Sequence, residues 1–189
     1  MENCRLYSHI SPMDEANFNR LYALMERAFP PAEHGSREFH LAEFSRPEFR
    51  CLCYEPDGHP AGFINYFEFS EPGLLFIEHF AVDDRLRGNG IGSDMLKSLT
   101  EQNKSKLLAL EVEPPAGALQ RRRIAFYQRM GLSLLDGSYY QPPAYGNADP
   151  LPLMLMASQE LGAEQFRELK RWIYRLVYRY SPSGAEQIQ

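Results

Sequence analysis

Glu78 and His79 stand together inside LLFIEHFAV, Leu74 to Val82, a run otherwise made of apolar side chains. A carboxylate held among Phe76, Ile77, Phe80 and Val82 is costly to bury unless it is paired or used. Glu78 is therefore a candidate general base, taking a proton from a nucleophile, with an ion pair to an arginine as the alternative. Strict strand alternation sends the adjacent His79 to the opposite face of the sheet. The run leads into RLRGNGIG, Arg85 to Gly92, and then into IGSDMLKSLTEQN, where Ile91, Met95 and Leu99 recur at helical spacing. Strand, glycine-rich turn and helix in that order favour anion binding. Amides at a helix start point outward with partial positive charge, and glycine lets a phosphate approach without a Cβ in the way. A nucleoside-triphosphate loop needs Gly-Lys-Ser/Thr, but Gly92 is followed by Ser93 and Asp94. A dinucleotide fingerprint needs Gly-x-Gly-x-x-Gly, and here the third glycine comes one place early. What remains is Arg87-x-x-Gly90-x-Gly92 as a cradle for another phosphate, beside the plainer reading of a loop that only starts a helix.

Periodicity gives the elements that must position these residues. CRLYSHI, from Cys4, reads as a short strand. Ser11 as N-cap, Pro12 at the first helical position and Asp14 at N3 open an amphipathic helix. Phe18, Leu21, Tyr22, Met25 and Phe29 line one face of it, and Pro30-Pro31 stop it. SREFHLAEF, from Ser36, fits a shorter helix. FRCLCYE, from Phe49, and AGFINYFEF, from Ala61, form a hairpin across EPDGHP. LLFIEHFAV follows the turn SEPG. LLALEVE, Leu107 to Glu113, is an interior strand ended by Pro114-Pro115. ALQRRRIAFYQRMG is a helix closed by Gly131. SYYQ and LPLMLMA are two more strands around PPAYGNADP, and QFRELKRWIYRLVYRY is a basic, aromatic amphipathic helix. The order predicts an α/β domain with a mixed sheet, single over residues 1–189, with a C-terminal helix over 158–180 and a frayed tail over 181–189.

Composition narrows the function classes. With 44% apolar and 24% charged residues, the 189-residue chain is globular rather than disordered. Its net charge of −5 argues against nonspecific nucleic-acid binding. Three cysteines without a framework spacing argue against a secreted disulfide scaffold. Cys51 and Cys53 alternate onto one strand face as buried free thiols, and no second cluster completes a zinc site. MENCRLYSHISPMDEANF has no basic region followed by an apolar core, and no apolar run approaches the ~20 residues of a membrane span. The expectation is a cytoplasmic protein with neither membrane nor nucleic-acid partner.

The Arg87–Gly92 pattern between a strand and a helix resembles the Gln/Arg-x-x-Gly-x-Gly/Ala signature of the GNAT superfamily of acyl-CoA-dependent N-acyltransferases. EHFAVDDRLRGNGIGSDML resembles that family's strand–loop–helix unit. IAFYQRMGL, from Ile124, is similar to its later helix with a Phe-Tyr-x-x-x-Gly-hydrophobic ending. YYQPPAYG and EVEPP resemble a bacterial branch, and the likeness spans roughly Phe49 to Ala157. It implies the GNAT fold, a mixed and mostly antiparallel sheet flanked by helices, here with an extra C-terminal helix. It also implies an N-acetyltransferase with acetyl-CoA as co-substrate and no metal. The acetyl group would pass to a primary amine, of a small molecule, by direct attack in a ternary complex. Alternatives are a longer acyl donor, a protein-lysine or N-terminal acceptor, or a non-catalytic acyl-CoA-binding regulatory module.

The resemblance also implies roles. The amides of Arg87, Gly88, Asn89, Gly90, Ile91, Gly92 and Ser93 would hold the coenzyme A pyrophosphate. The backbone of Phe80, Ala81 and Val82 would bond the pantetheine and hold the thioester. Amine attack on a thioester needs a neutral amine, a proton acceptor and a donor for the leaving thiolate. Tyr127 matches the family tyrosine that donates near the sulfur; a phenol stays protonated at neutral pH. Glu78 matches a place where the family often has a Glu or His. The family's cofactor-contacting Asn falls at Gln120 here. Glu111 and Glu113 alternate onto one strand face, with Glu113 near the end where open sheets place ligands. They could receive a cationic amine or pair with Arg121-Arg122-Arg123. Tyr140, Gln141 and Tyr145 would shape the acceptor pocket, or else their loop merely covers the core. Trp172, Ile173, Leu176, Val177 and Tyr180 suit core packing or a homodimer surface.

Overall fold

The computed structural model describes residues 3–144 and 149–181. Its strands are β1 (Cys4–Ser8), β2 (Phe49–Tyr54), β3 (Gly62–Phe69), β4 (Leu74–Val82), β5 (Leu107–Val112), β6 (Ser133–Leu134), β7 (Tyr139–Gln141) and β8 (Leu151–Ala157). In space they run β1-β2-β3-β4-β5-β8-β6, with β7 also on β8. Among the described residues only β4 and β5 pair in parallel; the other strand pairings are antiparallel. A parallel neighbour needs a crossover, and α4 (Ile91–Gln102) supplies it. The remaining helices are α1 (Glu15–Ala28), α2 (Pro31–His34), α3 (Arg37–Phe44), α5 (Ala118–Arg129) and α6 (Ala163–Trp172).

Period-two patterning divides the core between the two faces of the sheet. Cys51, Cys53, Phe63, Phe67 and Phe76 pack on one face with Leu21 and Met25 of α1 and with Leu169 of α6. Ile64, Leu75, Ile77, Leu108 and Leu110 pack on the other with Met95, Leu96 and Leu99 of α4 and with Ile124 and Tyr127 of α5. Cys51 and Cys53 are buried free thiols, as the strand pattern implied.

Two expectations are corrected and one is extended. The first helix is capped by Asp14, not Ser11, and begins at Glu15. The Asp14 carboxylate accepts from the Asn17 backbone N–H at 2.9 Å and from its side-chain amide at 3.0 Å. Ser11 is unavailable because its backbone exchanges hydrogen bonds with Ser8 at 3.0 and 3.1 Å. The first helix does end before the proline pair, at Ala28 with Phe29 extended, and Pro31 then opens a separate short helix, α2. The C-terminal helix is shorter than 158–180: α6 starts at Ala163 and passes into a π-helical turn over Ile173–Val177. Ile173 and Val177 are buried against the sheet, so this segment is core packing. Arg46, itself buried, donates to the carbonyls of Leu176 and Val177 at 2.7 and 2.9 Å, satisfying acceptors a helix end leaves open. Of the expected tail, residues 182–189 lie outside the described residues.

Candidate active site

One extra residue in β4 organises the site. Asn65 pairs with His79 but Tyr66 pairs with Ile77, so Glu78 has no opposite number and forms a β-bulge. Alternation slips there. Phe76 faces the α1 side, and after the bulge Ala81 does, while Phe80 packs on the α4 side. His79 therefore does not take the face opposite Glu78. The two side chains come together, nearly fully buried, with His79 Nδ1 at 3.5 Å from Glu78 Oε2. The Nε2–H donates to the Glu33 carbonyl at 2.8 Å, and the Phe29 ring packs edge-on at 5.0 Å. Burial pulls the imidazole pKa down, but the Glu78 carboxylate and the Glu33 carbonyl outweigh it, and the net shift is upward.

The parallel ladder between β4 and β5 ends beside this bulge, its last pair being Ile77 with Leu110. Beyond it the strands part. On the α1 side a cavity of about 80 Å³ opens, with Phe29, Glu33, Glu78 and His79 on one wall. Glu111, Glu113, Arg123 and Gln141 close the other wall, and Leu151 and Leu153 add apolar surface. Burial raises the Glu33 carboxyl above its usual value, reinforced by Glu113. Burial pushes Glu111 up to about 7, although three donors oppose it: the hydroxyls of Tyr139 and Tyr178 and the amide of Gln141. The cavity thus gathers four carboxylates, one imidazole and one guanidinium.

At the far end of β4 the glycine loop takes the geometry an anion needs. Gly88 and Gly90 have φ of 87° and 79°, a region that disfavours side chains. Gly90 caps α4 without any side-chain hydrogen bond, and Asp94 N–H to Gly90 C=O, at 3.0 Å, is the first helical bond. The amides of Ile91, Gly92 and Ser93 precede that bond and lack helical partners. A Cβ on Gly92 would stand 3.3 Å from the Phe80 ring, so glycine also lets the helix start approach β4. Arg87 is exposed, paired with Asp84 at 2.7 Å, and donates to the Val82 carbonyl at 3.3 Å. Asn89 bonds back to the Leu86 carbonyl at 3.3 Å. A second cavity of about 470 Å³, lined by Val82, Arg85 and Arg87, adjoins this loop. Loop and helix start fit a phosphate-bearing ligand.

Other expected site residues are placed as follows. Tyr127 is 8% exposed between the helix and the sheet, and burial pushes its phenol up to about 12. It therefore stays protonated throughout the neutral range. Glu113 pairs with Arg123 at 2.9 Å and accepts from Gln120 at 3.2 Å, so both Glu113 and Gln120 are engaged with each other. Gln141 lines the cavity, whereas Tyr140 is half exposed on the outer side of β7. Tyr145 lies outside the described residues. Sequence reasoning missed the Phe29–Glu33 wall and the role of Tyr139 and Tyr178 around Glu111. A tyrosine late in a basic helix gives no local sign of reaching a carboxylate on β5.

Comparison with known proteins follows the same geometry. The family model described as Acetyltransferase (GNAT) family matches residues 18–132. A Bacteroides thetaiotaomicron protein assigned to the GNAT acetyltransferases is 32% identical, the match covering 94% of this chain and 99% of that one with a TM-score of 0.80. Arabidopsis thaliana Naa50, solved with the bisubstrate analogue CoA-Ac-MVNAL, is 20% identical over 83% of this chain and 99% of its own, with a TM-score of 0.58. An aminoglycoside 6'-N-acetyltransferase complexed with coenzyme A is 17% identical over 81% and 95%, with a TM-score of 0.56. The last two share the fold. No curated protein matches the sequence.

Proposed function

The chain belongs to the GNAT acetyltransferase family, and from that premise we propose that it moves an acetyl group from acetyl-CoA to a primary amine of a small cationic molecule. The carrying observation is the parting of β4 and β5 at the Glu78 bulge, with an acid-lined cavity on the α1 side and the glycine loop at the strand end. Acetyl-CoA supplies the activated thioester. The amides from Arg87 to Ser93 hold its diphosphate at the α4 N-terminus, where the helix dipole favours negative charge. Beyond Ile77, β4 has no β5 partner. The edge of Phe80, Ala81 and Val82 turned away from β3 therefore has no strand beside it among the described residues and can pair with an amide-bearing ligand.

Glu78 takes the proton from the acceptor ammonium, which must be neutral to attack. His79 beside it, held by the Glu33 carbonyl, keeps the carboxylate oriented and shares the proton. As the C–S bond breaks, Tyr127 gives a proton to the departing sulfur. The proton that the newly bonded nitrogen must lose restores the phenol, leaving the one on Glu78 to pass to solvent. Attack is direct, with both substrates bound, and the four carboxylates lining the cavity suit a cationic acceptor. The donor half is tested by calorimetric titration with acetyl-CoA. Gly90→Val forces a branched residue into a left-handed backbone that costs ~1–3 kcal/mol to hold, so the Kd should rise about tenfold. An unchanged Kd contradicts the cradle.

A further inference from the structure

We propose that the acceptor is a short diamine, and that Glu111 selects it by binding the second, non-reacting ammonium. The proposal rests on the acetyl-transfer reading of the cavity and adds what that reading leaves open: why the cavity holds more carboxylate than the reaction needs.

The carboxylates are not equivalent. Of the four, Glu78 faces the His79 imidazole and Glu113 is answered by the Arg123 guanidinium. Among the described residues Glu33 has no ion pair, and no side-chain donor fixes its direction as three fix that of Glu111. Glu111 is held by neutral donors: the Tyr178 hydroxyl at 2.6 Å, the Gln141 amide at 2.9 Å and the Tyr139 hydroxyl. Among the described residues no basic side chain lies within ion-pair distance of it. Neutral donors fix the carboxylate's direction but supply no opposing charge, so a ligand cation is the partner that would favour its ionised form against the burial that raises its pKa. An amine that loses a proton to Glu78 cannot also pair with Glu111 as an ammonium, so a second nitrogen is required. Leu151 and Leu153 offer apolar surface to the methylenes between the two nitrogens. A cavity of about 80 Å³, at ~10–15 Å³ for each water-sized group, admits only a short chain.

Tyr178 is the positioning residue. It follows the π-helical turn, whose carbonyls at Leu176 and Val177 are fixed by Arg46. The Glu111 carboxylate is thus oriented from a segment outside the family match at 18–132.

The test is calorimetric titration of the coenzyme A-bound protein with 1,4-diaminobutane and with n-pentylamine, which has the same length and one cation. Wild type should bind the diamine tighter by roughly tenfold to a hundredfold, the scale of one hydrogen-bonded charge contact. Glu111→Gln should abolish that preference. Tyr178→Phe should cut diamine affinity several-fold and leave pentylamine affinity unchanged, a split that general loosening of the fold would not give. Equal affinities in wild type, no diamine binding, or a preference that survives in Glu111→Gln overturns the proposal. If Glu111→Gln does not fold, an unaltered diamine preference in Tyr178→Phe overturns it instead. Diamine preference without thiol release supports this assignment and defeats acetyl transfer; acetylation of amines without diamine preference does the reverse.

Discussion

Glu78→Gln is expected to lower kcat/KM for the acceptor amine by ~10²–10⁴-fold, the usual range for a positioned proton acceptor. The amide keeps the shape of the side chain in the bulge but cannot take a proton from an ammonium. The same change removes the largest of the influences that hold the His79 pKa up, leaving burial opposed only by the Glu33 carbonyl and the Glu111 carboxylate. An opposite charge favours the protonated imidazole, so its loss must move the titration downward. Steady-state rates with free-thiol detection read the first effect, and the imidazole titration by NMR reads the second. Turnover at the wild-type level would remove Glu78 from the mechanism. An unmoved His79 titration would deny the pairing itself.

Tyr127→Phe is the second large effect, with kcat expected to fall by ~10²–10³-fold through loss of the leaving-group acid. Phenylalanine preserves the ring, its edge contact with Phe126 at 5.2 Å and its burial among Leu110, Val112 and Ile124. Stability in urea should therefore hold while kcat falls and the acetyl-CoA Kd stays constant. A packing tyrosine would give the opposite result, with kcat retained. Burial holds the wild-type phenol at about 12, so its protonation does not limit the rate on the alkaline side before other groups do.

The elements that were legible in the sequence are those whose signal is local. β4 spans Leu74 to Val82 as its apolar run predicts, and α4 starts at Ile91 directly after Gly90. The glycine register set the loop apart from nucleotide loops, and the positive φ of Gly88 and Gly90 is a property of single residues that a sequence can show. What stayed hidden depends on partners far along the chain. The Glu78 bulge exists only relative to the β3 register, so alternation alone put His79 on the wrong face. Ser11 and Asp14 are both good capping residues, and a backbone bridge to Ser8 decided between them. The Glu111 cluster joins residues 28, 30 and 67 positions away, beyond any spacing rule. β6, with two residues, is set by its pairing with β8 rather than by its own pattern.

The most direct measurement is acetyl-CoA-dependent thiol release across a panel of mono- and diamines, with the mass of the amine product determined. The account predicts thiol release only when an amine is present, in step with formation of the acetylated amine, and with a short diamine among the best acceptors. Acetyl-CoA binding at the glycine loop without amine-dependent thiol release from any member of the panel would contradict it and mark the protein as an acyl-CoA-binding module.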